Sequence, residues 1–156
     1  MNIACLQTRP RPDFKSALEE ALTLSLRAVG QGAELVALPE YCGGLKTEGS
    51  MFAPPAAPEE EHPVLKGLVE FAKAKRVWMI IGSVAVPGPG GKIRNRGFVV
   101  DSKGRIQGRY DKIHLFDIQL SEAEIYRESA LVSGGEKAAL VEAPFARIGH
   151  TICYDL

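Results

Sequence analysis

Three residues, each at the end of a stretch that reads as a β-strand, carry the chemistry this chain could do. Glu40 follows residues 35–38 and Pro39, Lys112 follows residues 105–110, and Cys153 closes residues 148–153. A thiol is the best neutral-pH nucleophile among side chains, but it must first lose its proton. A carboxylate such as Glu40, hydrogen-bonded to it, can take that proton as general base and return it to a leaving amine. The ammonium of Lys112 would favour thiolate and then stabilise the oxyanion of a tetrahedral intermediate. Such a trio suits attack on an amide or nitrile carbon, through a thioester or thioimidate that water resolves. Singly, each residue has a plainer reading. Free cysteine is among the most buried residue types, and a lone Glu or Lys after a strand is ordinarily a solvated charge. The question is whether the three strand ends meet.

Other candidates are weaker. His150 lies three residues before Cys153 on the same strand, and odd spacing points the two side chains to opposite faces. A local His–Cys dyad or a chelating metal pair is therefore disfavoured, and His150 reads as a packed strand residue. His114 is a second candidate base, close to Lys112. Gly88-Pro89-Gly90-Gly91-Lys92 lacks the spacing and the following Ser or Thr of a phosphate loop, and reads as a hairpin connection.

The elements that must position these groups follow from hydrophobic periodicity. Residues 3–6 form a continuous apolar run, the pattern of a strand covered on both faces. Asp13 can cap a helix whose apolar positions run from Phe14 to Val29 on one side, ended by Gly30 and Gly32. Residues 35–38 make a second buried strand, so the unit is βαβ with parallel strands. Pro39 ends that strand and leaves Glu40 beyond its carboxyl end, where parallel sheets bind ligands. Residues 41–62 form a long connection whose run Glu59-Glu60-Glu61 is expected only to solvate it. Pro63 opens a helix to Lys75, and residues 77–86 form a third strand. Residues 95–101 and 105–110 then read as an antiparallel meander. Ser121-Glu122-Ala123-Glu124 fits a capping box and is expected to begin a short helix holding Tyr126, with Glu128 just after it. Residues 138–141 and 148–153 read as a further hairpin through Pro144. The expected class is α/β, a mixed sheet with helices stacked against it.

Composition removes several function classes. At 156 residues, 46% hydrophobic and 24% charged, the chain has the length and balance of one globular domain. Lys plus Arg and Asp plus Glu each number 19, so there is no polyelectrolyte signal for nucleic acid. A net charge of zero is compatible with self-association. Three scattered cysteines are too few for a disulfide scaffold, and an odd count fits a reducing compartment. The N-terminus carries no cleavage signal, and residues 77–86 are too short an apolar stretch to span a bilayer. A soluble cytoplasmic protein with no membrane or nucleic-acid partner is the expectation.

The order Leu38-Pro39-Glu40, then Tyr110-Asp111-Lys112-Ile113-His114-Leu115-Phe116-Asp117, then Gly149-His150-Thr151-Ile152-Cys153-Tyr154-Asp155 resembles the carbon–nitrogen hydrolase (nitrilase) superfamily. Residues 95–104 are similar to the strand and turn before that family's lysine motif. Tyr126-Arg127-Glu128-Ser129 is similar to the segment carrying its second glutamate. The resemblance implies that Glu40 is the base, Lys112 the oxyanion-stabilising cation and Cys153 the nucleophile. Glu128 would position Lys112 or the substrate, and the backbone amide of Tyr154 would share the oxyanion. It also implies an α-β-β-α sandwich that commonly forms homo-oligomers. The family needs no metal or organic cofactor, and its substrates are small amides, nitriles or carbamoyl compounds. The motif wording sits nearest the amidase branch acting on ω-amides.

Family members continue well past the cysteine motif, whereas Cys153 lies three residues from the end of this chain. Residues 1–156 are therefore expected to be the amino-terminal part of one such domain, incomplete at the C-terminus. The missing part would supply the helix after the nucleophile, further strands of the second sheet and much of the pocket. The alternative expectation is a catalytically inactive remnant that self-associates or binds a partner.

Overall fold

The computed structural model describes residues 1–48, 51–122 and 124–156, the side chains of Thr47, Glu48 and Met51 excepted. In chain order the elements are β1 (Ile3–Cys5), α1 (Phe14–Gly30), β2 (Leu35–Ala37), β3 (Lys46–Glu48), β4 (Met51–Ala53), α2 (Pro63–Lys75), β5 (Trp78–Pro87), β6 (Ile93–Val100), β7 (Ile106–Asp111), β8 (Asp117–Gln119), β9 (Ile125–Arg127), β10 (Ala139–Ala143) and β11 (Ala146–His150). A five-stranded sheet has the order β1-β2-β5-β6-β7. Its first three strands are parallel, and β6 and β7 add to it antiparallel. Two reversals restore direction, so β7 ends at the same sheet edge as β2. β6 begins there.

Both helices pack on one face of this sheet. The Asp13 carboxylate accepts the Ser16 N–H at 2.9 Å and caps α1, satisfying a donor that the helix leaves free. Ala17, Ala21, Ser25 and Ala28 repeat at helical spacing and are buried, small enough to let α1 lie close to its neighbours. α2 turns Val64, Leu65, Leu68 and Ala72 onto Val36, Met79, Ile81, Phe98 and Val100 of the sheet. Burying each of the larger side chains contributes about 1.5–3 kcal/mol. The His62 Nδ1 accepts the Leu65 N–H and caps α2, with Pro63 in the first turn where a missing N–H costs nothing.

The other face meets the antiparallel pair β10–β11, a separate two-stranded sheet. Close approach there depends on glycine. A Cβ on Gly108 would strike the Val141 side chain, and one on Gly97 would strike the His150 ring. His150 is buried, stacks on Tyr110 with ring centroids 5.7 Å apart, and lies 3.3 Å from the Gly82 carbonyl oxygen through Nε2. A helix layer, a five-stranded sheet and a two-stranded sheet on its far face match the expected α/β class.

Three local expectations give way. β1 is not covered on both faces: Ile3 is 57% exposed, because β1 is the edge strand and only its Ala4 side packs on the helices. The helix expected to hold Tyr126 is replaced by the hairpin β8–β9, in which Tyr126 pairs with Ile118; of the capping box, Ala123 lies outside the described residues. Ile118, Ile125 and Tyr126 are strand formers, and cross-strand pairing outweighs a four-residue start signal. The acidic run is not merely solvated. Glu59 accepts from Arg96 at 2.9 Å and from Arg109 at 2.6 Å, tying the long connection to β6 and β7.

Candidate active site

The carboxyl ends of β2 and β7 deliver Glu40 and Lys112 to one sheet edge. Leu38 still follows the sheet, its N–H bonded to the Ile80 carbonyl at 2.8 Å, and Pro39 then turns the chain out. The Lys112 N–H donates to the Asn95 carbonyl at 3.0 Å, extending the β6–β7 ladder by one rung. Its side chain runs into the protein and is 2% exposed. The ammonium lies 3.0 Å from Glu40 Oε1 and 2.9 Å from Glu128 Oε2. Burial works against that charge, but the hydrogen bonds and charges of Glu128 and Glu40 outweigh it and hold the Lys112 pKa above its ordinary value.

Glu128 opens a single 3-10 turn after β9, and only 7% of its side chain is exposed. Besides Lys112 it accepts the Phe116 N–H at 2.7 Å, while its own N–H donates to the Phe116 carbonyl at 3.2 Å. The hairpin β8–β9 thus closes a loop that carries Glu128 back to the lysine. A buried carboxylate held by a cation and a backbone donor is locked in place.

Cys153 does not sit on a strand. β11 ends at His150, and Cys153 begins a 3-10 turn through Asp155 with its own backbone in the left-handed region, φ 49°. A non-glycine residue there is strained, and such strain persists only where surrounding contacts enforce it. Asp155 supplies them. Its carboxylate accepts from Tyr110 Oη at 2.7 Å, from the Ile152 N–H at 2.9 Å and from the His114 N–H at 2.9 Å. The cysteine turn is thereby fastened to the chain on either side of Lys112. The Tyr154 ring packs edge-on against Phe116, centroids 5.3 Å apart, and its backbone N–H directly follows Cys153.

Cys153 is exposed and lines a pocket of about 180 Å³ together with Glu40, Lys112, Glu128, Tyr41 and Phe116. Desolvation and the negative charge of Glu40 push its thiol up. The Lys112 ammonium pulls it down, and a hydrogen bond with Glu40 and the charge of Glu128 add to the rise. Desolvation and the two carboxylates together outweigh the pull of Lys112. A thiol held above its ordinary pKa needs a base at the moment of attack. The arrangement offers that base, a cation beside it and a turn that exposes sulfur.

The five site residues read from the sequence are thus brought to one place, Tyr154 through its ring and the N–H next to Cys153. His150 is not part of the group; its ring nitrogen goes to Gly82. His114 contacts Asp155, with Nδ1 at 3.0 Å from the carboxylate. Three further residues line or brace the site and were not singled out as site residues from the sequence. Asn95 is fully buried, and its Nδ2 donates to Glu40 Oε1 at 2.7 Å. Tyr41, with φ 51°, lines the pocket and hydrogen-bonds Glu128, and burial together with the nearby carboxylates drives its phenol pKa far above the usual range. Asp155 is the third. Had the β6–β7 register been readable, Asn95 would have stood out as the position facing Lys112.

A second cavity of about 410 Å³ adjoins the first and shares Tyr41, Phe52, Phe116 and Glu128 with it. Ile125, Leu131 and Val132 make the rest of its wall largely apolar. Arg127 is the lone cation among the described residues lining it. No group of three His, Cys, Asp or Glu side chains among the described residues is placed to hold a metal ion. Nor is any described helix long and apolar enough to cross a membrane.

Comparison with known proteins gives a consistent picture. The carbon–nitrogen hydrolase family profile matches residues 2–156. A deaminated glutathione amidase from Synechocystis is 36% identical over 98% of this chain and 57% of its own length. The human omega-amidase NIT2 is 33% identical over 83% of this chain and 46% of its own length. Among solved structures, Saccharomyces cerevisiae Nit3, a member of the nitrilase superfamily, superposes with a TM-score of 0.78 at 24% identity, over 98% of this chain and 55% of that one. The C. elegans NitFhit protein gives the same TM-score and identity, over 38% of its length. The chain spans about half the length of the curated relatives it matches.

Proposed function

The chain belongs to the carbon–nitrogen hydrolase family, and from that premise we propose that its site hydrolyses small non-peptide amides through a thioester on Cys153. In this reading Glu40 takes the Sγ proton as sulfur attacks the carbonyl carbon. The carbonyl electrons move to oxygen, and the oxyanion is held by the Lys112 ammonium and the Tyr154 backbone N–H. Collapse breaks the C–N bond, and Glu40 returns its proton to the departing amine. Water then attacks the thioester while Glu40 takes a proton from it. The second collapse releases the carboxylic acid, and the proton returns to sulfur. Glu128 keeps the Lys112 ammonium aimed at the oxygen.

The observation that carries this reading is the placement of Lys112 between Glu40 and Glu128 in the pocket that Cys153 also lines. The relatives named deaminated glutathione amidase and omega-amidase favour an amide whose far end bears a carboxylate. The adjoining apolar cavity has room for its carbon chain, and Arg127 would meet its charge. Ammonia release from a panel of short ω-amides, neutral amides and nitriles tests the proposal. Turnover by the wild type, lost in Cys153→Ala and strongly slowed in Glu40→Gln, supports it. Equal release by wild type and Cys153→Ala, or none from any amide, defeats it.

A further inference from the structure

Glu40 is oriented by more than Lys112. Its Oε1 receives the Lys112 ammonium at 3.0 Å and, at 2.7 Å, the side-chain amide of Asn95. Two donors on one oxygen set the plane of the carboxylate beside the thiol. Asn95 is suited to this because it cannot move: it lies on β6, is fully buried, and its carbonyl holds the Lys112 N–H at 3.0 Å. The same Nδ2 lies 3.4 Å from Glu128 Oε1, so one amide spans both carboxylates. Its Oδ1 is buried without a hydrogen-bond partner among the described residues. An orphaned buried acceptor is costly, so the side chain is not held in this orientation by its oxygen. What it gains comes from the N–H donated to the charged carboxylates.

We propose that Asn95 is a positioning residue that fixes the Glu40 carboxylate and keeps it turned toward Cys153, an inference that rests on the role of Glu40 given above. The groups facing Glu40 are Lys112 after β7, Cys153 after β11, Glu128 after β9, the neighbouring Tyr41 phenol and Asn95 itself. Only Lys112 and Asn95 donate to its carboxylate. Glu128 is a second carboxylate beside the same ammonium, and Tyr41, whose phenol stays protonated, brings no charge. Removing Asn95 therefore leaves Lys112 alone against Glu128, and the proton shared between Glu40 and Cys153 is held more tightly.

The test is the pH dependence of Cys153 alkylation by iodoacetamide, read on the Cys153 peptide by mass so that exposed Cys5 does not interfere. It needs no amide turnover. Asn95→Ala should move the acid limb of the profile up by about one pH unit, roughly a tenfold loss of rate on that limb, as loss of a charge-assisted hydrogen bond implies. Asn95→Asp keeps the shape but replaces a donor with a third carboxylate, and should move it further. In a Glu40→Gln background Asn95→Ala should add little. A merely structural Asn95 gives the opposite pattern: Asn95→Asp like wild type, and Asn95→Ala acting equally with or without Glu40. That pattern, or an unmoved limb in variants whose urea midpoint shows them folded, overturns the proposal. Should Asn95→Ala not fold, Asn95→Ser, which keeps a shorter donor, must still move the limb in the same direction. Absent amide turnover with the limb shift present would remove the proposed reaction and leave Asn95 in its place.

Discussion

Lys112→Met separates what the buried ammonium does for the fold from what it does for the reaction. Methionine matches its unbranched length, so little volume is lost. The change leaves the Glu128 carboxylate, 7% exposed, without its cation, while Glu40 at 26% exposure can still reach water. Removing one partner of a buried ion pair costs about 3–5 kcal/mol. Glu128 keeps the Phe116 N–H at 2.7 Å, which places the cost at the lower end, about 3 kcal/mol. For a chain of this length that is a fall of about 6–12 °C in Tm. The assay is urea unfolding of Lys112→Met, Glu128→Gln and the double variant. The account predicts that Glu128→Gln restores more than 1 kcal/mol of what Lys112→Met loses, a coupling of the size found between contacting groups. Amide turnover, by contrast, should fall about 10²–10³-fold in Lys112→Met and stay there in the double variant. A stability change within about 0.5 kcal/mol, or strict additivity, refutes the buried-pair reasoning. Turnover recovering along with stability would make Lys112 structural only.

Other outcomes follow from the same geometry. His62 is fully buried, and burial pushes its pKa down to about 4, so the unfolded chain binds a proton near pH 6.5 that the fold excludes. Its contribution is whole above pH 6.5, shrinks as pH falls and is gone near pH 4, a loss of about 3 kcal/mol; His62→Asn, which keeps a cap acceptor, should flatten that stretch of a urea–pH series. Burial alone would raise the Asp155 pKa, but the donors from His114, Tyr110 and Ile152 leave it lowered. Its contribution is present above the ordinary carboxylate range and lost as pH falls through the lowered value. Asp155→Ala should cost about 2–3 kcal/mol in unfolding experiments and slow Cys153 alkylation by loosening the turn. Arg127→Gln should raise KM for an ω-amide several-fold and leave a neutral amide of equal length unchanged. Equal effects on both substrates would take Arg127 out of carboxylate recognition.

How much of this was legible depends on how local the signal was. α2 runs from Pro63 to Lys75 as its periodicity and first-turn proline indicate, and the Asp13 cap and the parallel β1–β2 pairing are present. Glu40 and Lys112 could be placed together because strand ends are a topological property, readable once two antiparallel reversals follow a βαβ unit; Cys153, on a turn after a strand of the other sheet, was reached only through the resemblance of its motif. Asn95 could not. Its neighbour across the sheet depends on register, and bulges between Ile81 and Val84 and between Val99 and Val100 shift that register in ways composition does not reveal. The left-handed backbone at Tyr41 and Cys153 was equally hidden, since neither is Gly or Asn and tertiary bonds enforce the conformation. Glu59 looked solvated because its partners, Arg96 and Arg109, lie on strands far along the chain. The hairpin at 117–127 was read as a helix because capping chemistry is local whereas the pairing of Tyr126 with Ile118 is not.

The most direct test of a working Glu40–Lys112–Cys153 site is rapid-quench mass spectrometry of the protein mixed with a small ω-amide. The account predicts a single acyl group on the Cys153 peptide, formed more slowly in Glu40→Gln and absent in Cys153→Ala. An acyl group on Cys5 or Cys42 instead, or one formed at the same rate with Gln at position 40, would contradict it.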